Sequence, residues 1–210
     1  MNNVIYNFCE SIINNNNPPE IINSISSLAI SIVPLVFGFP KNSVLLKILS
    51  IIFILTGFSS AYFHYYLNWI GKQADEICML LLNLIGNIFL IKNLYQKNSF
   101  LFKFFNFLNF FIFSLILIKN LQIKNVLNFP KYYLYYTIIT LFLLIKYNLK
   151  KKLKILKNIL ISLIGFIFWI ISEKYCNKIT YLGHSLWHIL FPVGFFFMIL
   201  NIDKNFNANN

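Results

Sequence analysis

Between residues 24 and 201 the chain falls into seven apolar runs, at about 24–39, 44–66, 74–95, 99–118, 131–147, 155–173 and 182–201, divided by short lysine-bearing breaks. A helix of about 20 apolar residues crosses the hydrocarbon core of a bilayer, with roughly 17–25 as the working range. In lipid every backbone N–H and C=O has to be satisfied within the protein, which leaves helices or closed barrels. Runs of this length predict the first: an all-α membrane protein of seven transmembrane helices. Composition agrees, because 58% of the 210 residues are hydrophobic and 11% charged. A soluble domain of that size could not hide so much apolar surface. Pro34 is expected to kink the first run, which membrane helices tolerate. No internal repeat is visible, so the expected organisation is an N-terminal segment 1–23, one membrane domain 24–201 and a tail 202–210. The first twenty residues are polar, acidic and Asn-rich, without the basic and apolar regions of a cleavable signal.

Seven spans put the termini on opposite sides, so the breaks can orient the chain. Lys41, Lys47, Lys92, Lys97, Lys103, Lys146, Lys150, Lys151, Lys152, Lys154, Lys157 and Lys204 fall on one side. Lys72, Lys119, Lys124, Lys131, Lys174 and Lys178 fall on the other. The richer side is expected to be cytosolic, which places the C-terminus in the cytosol and the N-terminus outside or in a lumen. The net charge of +12 does not indicate a nucleic-acid partner. The lysines form no stripe with aromatics, and there is no arginine for bidentate phosphate recognition.

Ionisable groups inside spans are costly and usually functional. On the expected topology His64 ends the second span, Asp75 and Glu76 begin the third, and His184 and His188 begin the seventh, all near the outer boundary. His184 and His188 are four residues apart and share a helix face, as do Ser60 and His64. Three imidazoles with a fourth position open form a known catalytic zinc arrangement. Zinc lowers the pKa of a bound water to about 7. Asp75 is then a carboxylate beside that water, and Ser60 a hydroxyl near a developing oxyanion. Each residue alone has a plainer reading. A single boundary histidine is usually interfacial, acids are welcome at a helix N-terminus, and a serine is often a small packing residue. Trp187, Tyr62, Tyr65, Tyr66 and Trp69 read as interfacial belt aromatics. The joint occurrence of all three histidines with an acid and a serine favours the metal site.

At these residues the sequence resembles the alkaline ceramidases, within a wider superfamily of seven-helix hydrolases that includes progestin and adiponectin receptors and GPI-lipid remodelling phospholipases. The resemblance rests on S-A-Y-F-H (Ser60, His64), G-x-x-x-D-E (Gly71, Asp75, Glu76), G-H-S-L-W-H (Gly183 to His188), an F-C-E element and E-I-I-N-S-I-S (Glu20, Asn23). It implies His64, His184 and His188 as zinc ligands, with Asp75 and Ser60 as the acid and hydroxyl beside the metal. The implied reaction is hydrolysis of ceramide, entering from the bilayer, to a sphingoid base and a fatty acid. The implied setting is an endomembrane or the plasma membrane. Family members often hold calcium in the N-terminal segment. Here Asn7, Phe8 and Ile12 replace family residues, so the remnant Asn7, Glu10 and Glu20 is expected to be degraded or lost as a calcium site. Ser172, with Glu173 beside it, replaces a family aspartate, and Lys72 replaces a glutamine. Cys9 and Cys176 fall on the outer side, where oxidation is permitted. They are expected as a disulfide that ties the N-terminal segment to the loop between the sixth and seventh spans, a link the resemblance also implies; the plainer alternative is two free thiols. Cys78 reads as a buried small apolar residue. Two competing readings remain at this stage: a phospholipid or GPI-lipid ester hydrolase of the same superfamily, and a receptor-like protein without catalysis. A transporter would place its polar groups near mid-membrane on broken helices.

Overall fold

The computed structural model describes residues 8–14, 19–122 and 129–206, and among them the chain is helical with no strand. A short helix, α1 (Cys9–Ile13), precedes α2 (Ile21–Phe37), α3 (Val44–Tyr66), α4 (Trp69–Leu94), α5 (Phe100–Gln122), α6 (Phe129–Lys151), α7 (Leu156–Lys174) and α8 (Gly183–Lys204). A 3-10 turn, Thr180–Leu182, leads into α8. Five of these helices, α3, α4, α5, α7 and α8, are long and apolar enough to cross a membrane. Helix α2 is apolar but only 17 residues long, with Pro34 inside it. Helix α6 is 23 residues long and carries Thr137, Thr140, Asn148 and lysines at both ends.

The largest departure from the expected boundaries is at α4, which begins at Trp69 and not near residue 74. Two local features start it early. Leu67 closes α3 in the left-handed conformation (φ 44°), and Asn68 then caps α4, its Oδ1 accepting from the Gly71 N–H at 2.7 Å. The first turns of α4 are polar yet buried. Lys72 is fully buried, 2.9 Å from the Glu76 carboxylate, and donates to Asn120 Oδ1 of α5 at 3.0 Å. Gln73 and Asn120 add two further bonds between α4 and α5. A hydropathy scan reads such a segment as loop, because it cannot see that each polar group has a partner across the helix pair.

Helix α2 packs between α3 and α8, α7 lies along α8, and α4 packs on α3, α5 and α6. Two glycines permit the closest approaches. A Cβ on Gly57 of α3 would lie 2.5 Å from the Ser31 backbone nitrogen of α2. One on Gly183 would lie 2.8 Å from Ser172 Cβ of α7. The main apolar core, including Leu49, Phe53, Phe89, Leu143, Phe196 and Ile199, fills the half of the bundle away from the histidines. Polar bonds continue along α4 from there. Asn83 bonds Thr137 and Thr140 of α6, while Asn87 and Tyr136 both donate to Asn109 Oδ1. Large apolar side chains such as Ile51, Leu55, Phe107 and Ile167 cover the outside. That exterior suits lipid, where close packing and hydrogen bonds hold helices together in place of a hydrophobic effect.

Candidate metal centre

His64 sits in the last turn of α3, and His184 and His188 in the first two turns of α8. One ring nitrogen from each lies within 4.8 Å of the other two, and all three residues are buried. Their ring centroids are 5.0 Å (His64–His184), 5.1 Å (His64–His188) and 4.7 Å (His184–His188) apart.

The opposite side of each ring is anchored. His64 Nδ1 is 2.6 Å from Glu20 Oε2, and His184 Nδ1 is 3.0 Å from Glu173 Oε1. An ionised carboxylate only accepts, so both Nδ1 atoms donate and the lone pair of each ring lies on Nε2. His188 Nδ1 is 3.0 Å from Ser26 Oγ and 3.2 Å from Ser27 Oγ. Both hydroxyls direct their protons to the Asn23 carbonyl, at 3.1 and 2.7 Å, so this imidazole also donates from Nδ1. His188 Nε2 is buried and has no protein partner. A buried nitrogen lone pair without a donor is expensive. A metal ion bound by the three Nε2 atoms would supply what it lacks, and anchored Nδ1 atoms are the usual support of metal-binding imidazoles. Three neutral nitrogen ligands suit zinc with one position left open.

Asp75, in the second turn of α4, is buried, lines one pocket with Ser60, and lies near enough to His64 for their charges to interact. Ser60 Oγ is 3.1 Å from Ser27 Oγ, which in turn lies 3.2 Å from His188 Nδ1. This small pocket is lined by Ser60, Asp75, Phe53, Leu82, Tyr133 and Trp187 among others. Trp187, expected as a belt aromatic, instead packs against His188 at 5.1 Å and stacks on Trp169 at 5.6 Å. It therefore forms a wall of the pocket. Tyr62, Tyr65, Tyr66 and Trp69 are exposed on the outside.

The N-terminal segment covers the site. Cys9 and Cys176 form a disulfide with Cα atoms 5.3 Å apart, tying α1 to the end of α7. The Phe8 ring lies 5.4 Å from His64 and 5.1 Å from His184. Of the residues expected as a calcium remnant, Asn7 lies outside the described residues. Glu10 accepts the Ile22 and Asn23 N–H groups at the start of α2, both at 2.8 Å. Glu20 accepts from Ser11 and binds His64. Cys78 is free and half-buried.

Sequence reasoning identified the three histidines, Asp75 and Ser60, but gave no role to Glu173, Ser26 or Ser27. Glu173 was visible only as a neighbour of a departed family aspartate. Ser26 ended a quoted motif and Ser27 followed it, and nothing local tells which helix they face.

A helical bundle with membrane-compatible helices and three converging imidazoles able to hold a metal ion defines the class: a membrane protein with a buried metal-type site. More particularly, the chain belongs to the ceramidase family, whose family model, described as Ceramidase, matches residues 4–205. It is accordingly a hydrolase acting on the amide bond of ceramide. No curated protein matches it closely enough to serve as a named relative.

Proposed function

We propose that the protein is a zinc-dependent ceramidase that works within the membrane. In this reading seven helices span, the N-terminus and the histidine end face a lumen or the exterior, and the C-terminus is cytosolic. The single observation that carries the zinc reading is the buried, unpartnered Nε2 of His188 beside two other imidazoles whose Nδ1 atoms are already engaged. The Cys9–Cys176 bond supports an oxidising compartment at that end, either an endomembrane lumen or the cell exterior.

Zinc held by His64, His184 and His188 would supply Lewis acidity and an activated water. The chain's own residues do the rest. Asp75 takes a proton from the attacking water at its carboxylate and delivers it to the leaving amine nitrogen. Ser60, beside Asp75, donates its hydroxyl to the oxyanion that develops on the amide oxygen. The apolar side of the pocket, with Phe53, Leu82 and Trp187, receives hydrocarbon chains from the bilayer and keeps bulk water away.

Purified protein incubated with a defined ceramide, a diacylglycerol and a glycerophospholipid tests the reading. Release of sphingoid base from ceramide alone is the expected result, with loss of zinc in His188→Ala. Fatty acid released from the esters but not from ceramide would move the protein to the esterase branch. A wild-type protein that retains no zinc would overturn the metal assignment.

A further inference from the structure

The resemblance implies a calcium ion in the N-terminal segment, and the residues here do not fit one. Calcium wants six to eight oxygens and draws on carboxylate charge. All four carboxylate oxygens of Glu10 and Glu20 face protein donors that a cation would have to displace. Glu10 Oε1 and Oε2 accept the backbone N–H groups of Ile22 and Asn23, each at 2.8 Å. Glu20 Oε1 accepts from Ser11, and its Oε2 accepts from His64 Nδ1 at 2.6 Å and Asn23 Nδ2 at 3.3 Å. Glu20 is fully buried, and Glu10 nearly so at 3% exposed. Ile12 and Phe8 add no side-chain oxygen, and the Phe8 ring packs on the histidines.

We propose that Glu20 is a positioning residue of the metal site, and that the N-terminal segment acts on that site through protein hydrogen bonds without calcium. The proposal rests on the zinc reading above and adds a role for a carboxylate that the reaction does not use.

The connection is direct. The Cys9–Cys176 disulfide fixes α1, Glu10 fastens the start of α2 against α1, and Ser11 orients Glu20. Glu20 in turn fixes the ring plane of His64 and keeps the proton on Nδ1, so that Nε2 presents its lone pair to the metal. The main chain adds a second tie at the same place, the Glu20 N–H donating to the His64 carbonyl at 3.0 Å. His64 stands alone on α3, whereas His184 and His188 support each other on one helix face. The isolated ligand is therefore the one that most needs an external hold.

The test measures zinc affinity of purified wild type, Glu20→Leu and Glu20→Gln by competition with a chromogenic chelator, with and without millimolar calcium. Glu20→Leu is expected to lose about 10–100-fold in affinity. Glu20→Gln should lose less, since its amide oxygen still accepts from Nδ1 but carries no charge. Calcium should change neither the zinc affinity nor the unfolding temperature of the wild type. Wild-type affinity in Glu20→Leu, or in Glu20→Gln should the leucine variant fail to fold, overturns the positioning role. A calcium-dependent rise in zinc affinity or unfolding temperature overturns the calcium-free part. Asp203→Asn serves as the control: that buried carboxylate holds the backbone of residues 41–43 at the opposite end of the bundle, and its variant is expected to unfold more easily while binding zinc as tightly as the wild type. Wild-type protein that takes up no zinc overturns the zinc reading and this proposal together, which separates that failure from a failure at Glu20 alone.

Discussion

At the histidine end of the bundle, Glu10, Glu20, Glu76 and Glu173 lie within hydrogen-bond or ion-pair networks, and Asp75 is buried on the lining of the pocket beside them. The helix ends and connections at the other end carry twelve lysines and one acid, Asp203, which is buried. The lysines form no salt bridge among the described residues. Lys146 and Lys150 instead donate to Tyr95 and to the carbonyls that end α4. Asp203 resembles Glu10 in its chemistry: its carboxylate accepts the N–H groups of Lys41, Asn42 and Ser43, as Glu10 accepts those at the start of α2. Both ends thus use a buried acid to hold backbone from elsewhere in the chain, the start of α2 at one and the α2–α3 connection at the other. Only the histidine end, among the described residues, extends such contacts to imidazoles. The difference teaches that buried carboxylates in this chain are not themselves a sign of catalysis, and that what they are bonded to decides their role.

The comparison breaks first at the site. Asp75→Ala is expected to retain zinc but cleave ceramide about 10²–10⁴-fold more slowly, as loss of a general acid–base group does. Activity close to the wild type, measured as released sphingoid base, would remove Asp75 from the mechanism. Next in size is the disulfide. Replacing Cys9 and Cys176 together by serine should cost about 2–5 kcal/mol in denaturant unfolding. It should also weaken zinc retention, because both α1 and the Glu173 end of α7 lose their tie. Unchanged zinc retention would show that α1 covers the site without supporting it. At the opposite end, Asp203→Ala strands three backbone donors and should cost about 2–3 kcal/mol. Zinc affinity there should stay at the wild-type level, and a fall in it would mean the two ends are coupled through α8. The smallest effect is expected for Lys151, Lys152 and Lys154 changed to glutamine, within about 0.5 kcal/mol. A larger change in the unfolding midpoint would mean that these lysines carry structural contacts.

Much of the site was legible because its signals are local. His184 and His188 announce a shared face by their spacing, and Ser60 with His64 by the same rule. Asp75 came into view because acids are rare in apolar runs. Glu20, Glu173, Ser26 and Ser27 were not legible as partners of the imidazoles, since each lies on a different element from the ring it holds. Trp187 was misplaced for a related reason. Its position near a boundary fits a belt, but the rotation of α8 turns the ring toward the histidines. The early start of α4 escaped because the burial of Lys72 and Gln73 depends on Asn120 of α5.

The sequence by itself determined that the chain is helical and apolar, and which few histidines, acids and serines are the candidates for chemistry toward one end of it. These follow from periodicity and composition, which act over one or two helical turns. Only the tertiary structure decided that Glu20, Glu173 and the Ser26–Ser27 pair each anchor one imidazole, and that Cys9 meets Cys176. Those pairings depend on how helices are rotated and how closely they approach, as at Gly57 and Gly183, where a missing Cβ lets backbones touch. That information is distributed over whole helix faces, and no short stretch of the chain contains it.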